Sequence, residues 1–357
     1  MGKKVMVCVS GGVDSSVAAL LVQQKGFDSA AIFMKNWEED DDKQFCSAFQ
    51  DIEDAQNVCL KIGMKFKKVN FSDEYWTQVF TKFLNEYKSG NTPNPDVLCN
   101  KEIKFNTLLK YAENIGYNCI ATGHYARKKV TKNGDYQLLK GLDNKKDQSY
   151  FLYTLNQDQL SKIIFPVGEL RKNQVRNIAK KNQFCTHNKK DSTGICFIGK
   201  RKLKMLLKRY LPEKKGEIWN ENGKVIGHHD GYMYYTIGQR KGLGIGGSKI
   251  NKPWFIAKKD SEKNILVVVQ GHDHPLLLQE TLHAKNVHWI NRCTALIKNF
   301  KCTAKIRYQQ EDQDCIIEYI SDDKYRVSFK NKQWAVAPGQ SIVFYKHEVC
   351  LGGGIIE

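Results

Sequence analysis

Three stretches of this 357-residue chain carry side chains suited to chemistry. The first, Ser10-Gly11-Gly12-Val13-Asp14-Ser15-Ser16, follows the apolar run Lys4-Val5-Met6-Val7-Cys8-Val9 and precedes Val17-Ala18-Ala19-Leu20-Leu21-Val22. Small residues, hydroxyls and one carboxylate between a buried strand and a helix start outline an anion site. Glycines reach torsions closed to other residues. Ser and Asp are expected to cap the first helical amides, and the remaining N–H groups and the helix dipole attract phosphate. The common loop Gly-x4-Gly-Lys-Ser/Thr is absent, so no loop lysine reaches a γ-phosphate. The plain alternative is a capped helix with no ligand. The other two stretches hold cysteines. Cys99 stands in Asn94-Pro95-Asp96-Val97-Leu98-Cys99-Asn100, just ahead of a helix expected from about Asn100 to Ile115. Cys196 stands in Asp191-Ser192-Thr193-Gly194-Ile195-Cys196-Phe197-Ile198-Gly199, ahead of a basic helix from Lys200 to Tyr210. A thiol near a helix N-terminus or basic residues carries more thiolate; a buried structural cysteine is the competing reading for each.

The elements that must position these residues follow from hydrophobic pattern. Ser29 to Met34, Lys65 to Val69 and Asn118 to Thr122 read as further strands. Phe49, Ile52, Cys59 and Ile62, and then Trp76, Val79, Phe80, Phe83 and Tyr87, fall at helical spacing. Strands alternating with helices predict an α/β domain on a parallel sheet, with ligands at the C-terminal strand ends. There the loop at Ser10, Met34 and Gly123-His124 would meet. From about Lys204 short alternating segments take over: 217–219, 233–236, 264–270, 301–308, 315–320, 325–329 and 341–345. Their spacing predicts a barrel or sandwich. Turn chemistry at Gly271-His272-Asp273-His274-Pro275 marks a boundary, giving three units over 1–203, 204–272 and 273–357. His272 and His274 alone do not make a metal site, and no metal ligand set is expected.

Composition narrows the class. A hydrophobic content of 41% supports real cores, and no apolar run would span a bilayer. The chain enters its first strand directly after Met1-Gly2-Lys3, so no signal peptide is expected and the location is read as cytoplasmic. Lys and Arg number 56 against 38 Asp and Glu, a net charge of +18. That balance favours a polyanionic partner such as nucleic acid, with compositional drift as the alternative. The 11 cysteines show no Cys-x-x-Cys spacing.

Ser-Gly-Gly-x-Asp-Ser resembles the pyrophosphate loop of the ATP pyrophosphatases, which split ATP between its α- and β-phosphates and adenylate a substrate oxygen. Over the whole chain the resemblance is to the bacterial tRNA-specific 2-thiouridylases. It is carried by Ser10 to Ser16, Met34-Lys35-Asn36-Trp37, Thr92 to Phe105, Ala121-Thr122-Gly123-His124-Tyr125, Lys146 to Leu152, Lys190 to Gly199, Tyr235 to Gly247 and Cys350 to Ile356. The resemblance implies an N-terminal ATP pyrophosphatase domain of the adenine nucleotide α-hydrolase-like (HUP) type, a small β-rich central domain that contacts tRNA and a C-terminal β-barrel.

The same resemblance implies 2-thiolation of the wobble uridine, position 34. Cys8, Val9, Ser10, Gly11, Gly12, Val13, Asp14 and Ser15, with Met34 and Gly123, would bind ATP with Mg2+. Asn94, Pro95 and Asp96 would hold the target base, which must leave its stack to be reached, with Asp96 as general acid/base. Cys196 would carry a persulfide and Cys99 act as the nucleophile, leaving a Cys99–Cys196 disulfide. His124, Lys146, Asp147, Gln148, Arg307, Tyr308 and Gln340 would touch tRNA. The partners implied are the tRNAs for Lys, Glu and Gln, and a persulfide donor, either a cysteine desulfurase or a sulfur-relay protein. Two residues depart from the family pattern, Asn91 where Arg is usual and Cys8 where the residue is small. The runners-up are another tRNA-modifying ATP pyrophosphatase, of lysidine or 4-thiouridine synthetase type, and a non-catalytic tRNA-binding protein.

Overall fold

The computed structural model describes residues 2–38, 48–191, 203–246, 252–291, 298–321 and 323–357; Cys196 lies outside them. The chain opens with β1 (Lys4–Cys8), α1 (Val13–Gln24), β2 (Asp28–Lys35), α2 (Ala48–Lys61), β3 (Lys65–Asn70), two helical stretches, α3 (72–88) and α4 (95–114), and β4 (Cys119–Ala121). A hairpin, β5 (Ala126–Val130) and β6 (Tyr136–Lys140), comes next, then α5 (Gln157–Lys162), β7 (Ile163–Ile164) and α6 (Lys172–Lys181). The parallel sheet runs β3-β2-β1-β4-β7. Val5, Met6 and Val7 are fully buried. Apolar residues fall on both faces of β1 because both faces of the sheet are covered. The strand order reverses direction at β1 and β4, where doubly wound sheets open their ligand crevice.

Helix α4 begins at Pro95, earlier than the expected Asn100. The Asn94 side chain accepts a hydrogen bond from the Val97 amide at 3.3 Å, and proline fits the first helical position, where its missing N–H costs nothing. Asp96 and Cys99 therefore ride on the helix instead of preceding it. From Cys99 to Thr107 the helix widens to π-helical turns, and α3 does the same from Trp76 to Phe80. Two threonine hydroxyls sit in these wide turns: Thr107 donates to the Glu102 carbonyl at 3.0 Å, and Thr81 to that of Trp76 at 2.9 Å, each five residues back.

The centre of the chain holds α7 (Leu203–Tyr210) and a sheet of β8 (Gly216–Asn220), β9 (Val225–His229), β10 (Trp254–Asp260) and β11 (Ile265–Gln270), ordered β10-β11-β8-β9. The segment expected as a strand at Met233 to Thr236 is instead a 3-10 turn over Tyr232–Tyr234. Tyr232, Met233, Tyr234 and Tyr235 are all buried, so no face alternates.

The C-terminal strands are β12 (Leu278–Trp289), β13 (Asn299–Lys305), β14 (Gln313–Ser321), β15 (Lys324–Trp334), β16 (Ser341–Lys346) and β17 (Val349–Ile356). They form a barrel, in the order β12-β15-β14-β13-β16-β17, closed by β12–β17 pairing. The barrel does not stand apart from the first domain. Hairpin β5–β6 extends the same sheet through pairing of Leu138 and Leu139 with Cys350 and Val349. Near this junction Gly352 has φ +148°, and an added Cβ would lie 2.0 Å from the His288 carbonyl oxygen. Among the described residues no helix is long and apolar enough to cross a membrane.

Candidate active site

The loop from Ser10 to Ser16 leaves β1 and turns directly into α1. Gly11 has φ +71°, and a Cβ there would meet the Asp51 carbonyl oxygen of α2 at 2.2 Å, so both torsion and space demand glycine. The expected side-chain cap does not form. Gly12 is the N-cap and carries none. The serines turn the other way: Ser15 and Ser16 hydroxyls donate to the Gly12 carbonyl at 3.1 and 2.8 Å, and the Ser10 amide donates to Ser15 Oγ at 3.1 Å. Their bonds fix the loop's shape, while the first-turn amides of α1 are left without side-chain acceptors, as an anion site requires. Gly123, just past β4, lies against this turn: a Cβ there would sit 2.8 Å from the Ser15 nitrogen. Loop and β4 edge thus meet as expected. Met34, on β2 itself, packs against the main core cluster.

The second wall is α4. Cys99 is 4% exposed and Cys8 is 8% exposed, both in one core cluster. Burial pushes the Cys8 thiol up to about 12, only partly opposed by Lys104, which favours its protonated form. Burial also raises the Asp96 carboxyl above its ordinary value, with Lys104 pulling it down. His124 is held well below the usual imidazole range by burial and then by Lys104, so it is neutral at physiological pH. Its Nδ1 is 2.8 Å from Thr122 Oγ1, and its ring lies 5.8 Å from that of Phe105 on α4. One ammonium, Lys104, therefore acts on Cys8, Asp96 and His124 together. Lys104 was not singled out from sequence. It stands inside the π-helical stretch that begins at Cys99.

A charged network closes the third side. Lys172 donates to both oxygens of Asp14 at 2.7 Å and lies 2.8 Å from Asp191 Oδ1. Tyr125 OH donates to Asp14 at 2.7 Å. Asp191 also receives Lys146 at 2.5 Å and Arg176 at 2.7 Å. Burial favours its protonated form, but hydrogen bonds from Lys146 and Lys172 outweigh this and hold it at about 2. Lys146 is thus joined to the loop through Asp191 and Lys172. Asp147 turns inward, and Gln148 is partly exposed. Asp147 is buried, accepting from the Gly141 and Ser149 amides at 3.0 Å each, and Gln148 Oε1 accepts from the Tyr125 amide at 3.0 Å.

Tyr308 reaches the same region from the barrel. Its ring lies 4.5 Å from Phe151, its hydroxyl is 3.4 Å from the Lys146 carbonyl, and the Phe151 carbonyl accepts from Asn100 beside Cys99 at 3.0 Å. Burial, and then the carboxylates Asp147, Asp143, Asp14 and Asp191, push the Tyr308 phenol to about 12. Arg307 sits apart from the loop. Its guanidinium lies 4.9 Å over Trp334, donates to the Ala335 carbonyl at 2.7 Å and borders a cavity of about 300 Å³ with Ile306, Gln309, Gln310 and Trp334. Gln340 donates to the Thr92 carbonyl at 2.7 Å, tying the barrel to the segment that leads into Asn94, Pro95 and Asp96. Asn91 donates to Glu86 at 2.7 Å. Among the described residues no three His, Cys, Asp or Glu side chains cluster to hold a metal. Asp14 is the one carboxylate of the loop at Ser10 to Ser16, and it is engaged by Lys172 and Tyr125; a single protein carboxylate is compatible with Mg2+ when phosphates and water supply the other ligands.

Residues 3–200 match the family described as tRNA methyl transferase HUP domain, 204–270 that described as tRNA methyl transferase PRC-barrel domain, and 279–356 that described as aminomethyltransferase beta-barrel domain. The chain is 59% identical over 356 residues, 99% of each chain, to the tRNA-specific 2-thiouridylase MnmA of Francisella tularensis subsp. novicida. It is 58% identical over 355 residues, again 99% of each, to the tRNA-specific 2-thiouridylase MnmA of Francisella philomiragia subsp. philomiragia. Among solved structures it matches the U34-tRNA thiolase NcsA of Methanococcus maripaludis at 19% identity and TM-score 0.36, over 54% of this chain and 60% of that one.

Proposed function

The chain belongs to the tRNA-specific 2-thiouridylase family, the ATP-dependent tRNA sulfurtransferases, and we propose that it thiolates carbon 2 of the wobble uridine of tRNA through a cysteine persulfide. The observation that most supports this is the approach of Gly123 to the uncapped, glycine-shaped loop at Ser10 to Ser15, beside a helix whose Lys104 acts on Cys8, Asp96 and His124 alike.

A uracil carbonyl oxygen is a poor leaving group. Attack of O2 on the α-phosphorus of ATP breaks the α–β bridge and releases pyrophosphate. The N3 proton leaves as the O2–phosphorus bond forms, and Asp96 takes it. A carboxyl raised toward neutrality by burial suits that exchange. Cys196 carries the terminal sulfur as a persulfide. Cys99 attacks the Cys196 sulfur and expels hydrosulfide, which adds to C2. AMP then departs with the original O2, and the sulfur-bound proton moves to N3. The products are 2-thiouridine, AMP, pyrophosphate and a Cys99–Cys196 disulfide, which an external thiol must reduce. Mg2+ held by Asp14 and the phosphates would screen their charge. Lys146, Arg307, Tyr308 and His124 are the residues proposed to meet tRNA. Gln148 and Gln340, both partly exposed, are proposed to join them, and buried Asp147 holds the Gly141 and Ser149 amides behind. The substrates proposed are the tRNAs for Lys, Glu and Gln, and the sulfur comes from a cysteine desulfurase or a relay protein.

The test is mass spectrometry of wobble uridines after incubation of tRNA with ATP and a persulfide donor. Wild type should yield 2-thiouridine. Cys196→Ser should still consume ATP with tRNA but yield none, and Cys99→Ser should load sulfur yet stall. Thiolation by Cys196→Ser at the wild-type rate would refute the persulfide route.

A further inference from the structure

The loop at Ser10 to Ser16 has no lysine of its own, yet a lysine ammonium stands at its mouth. We propose that Lys172 is a phosphate-binding residue of the nucleotide site, held in reserve by Asp14 until the phosphates arrive. The proposal rests on the ATP-dependent reading above and deepens it.

Lys172 is the first residue of α6, and its side chain is only 12% exposed. An ammonium has three N–H donors. The contacts with both Asp14 oxygens at 2.7 Å and with Asp191 at 2.8 Å account for all three. Asp14 is in the first turn of α1, where the side chains cap none of the amides. Its carboxylate therefore occupies the place and charge that a phosphate would take beside Lys172. Asp191 is shared by Lys146, Lys172 and Arg176, so three cations converge on it beside the loop. Asp191 keeps Lys146 and Arg176 when Lys172 is drawn away.

With nucleotide phosphates in the loop, Asp14 would hold the divalent cation that accompanies them, and two Lys172 donors would be freed for phosphate oxygens. As the α–β bridge breaks, its electron pair passes to the pyrophosphate oxygen. Lys172 meets the charge that develops there, as positioned donors do in transition-state stabilisation. A residue 158 positions from Asp14 thus supplies the cation that common phosphate loops carry within themselves.

The experiment uses the full chain and inorganic pyrophosphate with Mg2+, measured by titration calorimetry without tRNA. Wild type should bind pyrophosphate. Lys172→Met should weaken it by about tenfold or more, Lys172→Gln should do the same, and Lys172→Arg should fall between. In tRNA-dependent pyrophosphate release, Lys172→Met should lower kcat/KM for ATP about 10²-fold, with tRNA affinity unchanged. A merely structural Lys172 would lower activity without moving pyrophosphate affinity. Wild-type pyrophosphate affinity in folded Lys172→Met or Lys172→Gln, or no pyrophosphate binding by wild type, overturns the proposal. Failure to form 2-thiouridine with the calorimetric order intact would remove the thiolation reading and leave the Lys172 assignment standing.

Discussion

Replacing Gly123 by alanine tests how tightly the β4 edge and the phosphate loop are joined. The new Cβ would lie 2.8 Å from the Ser15 nitrogen, 2.9 Å from the Asp14 carbonyl carbon and 3.0 Å from the Ser15 Cα. All three are backbone atoms, so no side chain can swing aside. Restoring an ordinary 3.4 Å contact needs a shift of 3.4 − 2.8, about 0.6 Å. Forced overpacking of this kind costs about 1–3 kcal/mol, and a misplacement near 1 Å in a reacting geometry costs about 10²-fold in rate. The expected outcome is a folded protein with kcat/KM for ATP reduced about 10- to 100-fold in tRNA-stimulated pyrophosphate release. Affinity for tRNA, measured by filter binding, should hold. Gly12→Ala is the contrast: its Cβ meets only Ser10 Oγ at 3.6 Å. Activity lost there reports on the ligand, not on packing. Wild-type ATP kinetics in folded Gly123→Ala would show that the loop does not hold the phosphates.

Asp96 gives a pH-dependent prediction. Burial raises its native pKa above the ordinary 3.8, with Lys104 opposing. The native state then favours the protonated acid, so wild type loses stability as pH rises through that raised value. Asp96→Asn should therefore be more stable than wild type at neutral pH, with the gain shrinking as pH falls toward 3.8, while thiolation is lost; thermal unfolding across that window checks it, and a variant less stable at neutral pH contradicts it. Binding of tRNA should weaken steeply with salt, and Arg307→Ala should reduce the log–log slope by about one if its guanidinium leaves Ala335 for a phosphate; a flat wild-type plot would detach the charge of +18 from tRNA.

Local order settled some of this protein in advance. An unbroken apolar run set β1, because a parallel strand covered on both faces has no polar side to show. Gly11 and Gly12 set the turn, and the Asn94-Pro95 pair contains its own helix start, although the cap was not read as one and the expected start fell at Asn100. The alternating segments after Lys204 set β structure, and Cys99 stood out by its neighbours, whereas Asp96 was named only through the family resemblance. What the tertiary structure decided is whatever depends on atoms distant in sequence. Lys172 meets Asp14 across 158 residues, and no local pattern encodes that pair. Hairpin β5–β6 was not among the expected elements, and it belongs to the barrel because its Leu138 and Leu139 find Cys350 and Val349. Asp147 matched a tRNA-contacting stretch, yet it is buried and its carboxylate accepts from the Gly141 and Ser149 amides, while Gln148 commits only its Oε1, to the Tyr125 amide. Lys104 acts on Cys8 and His124 because α4 packs beside the ends of β1 and β4, a proximity that residue type alone does not reveal.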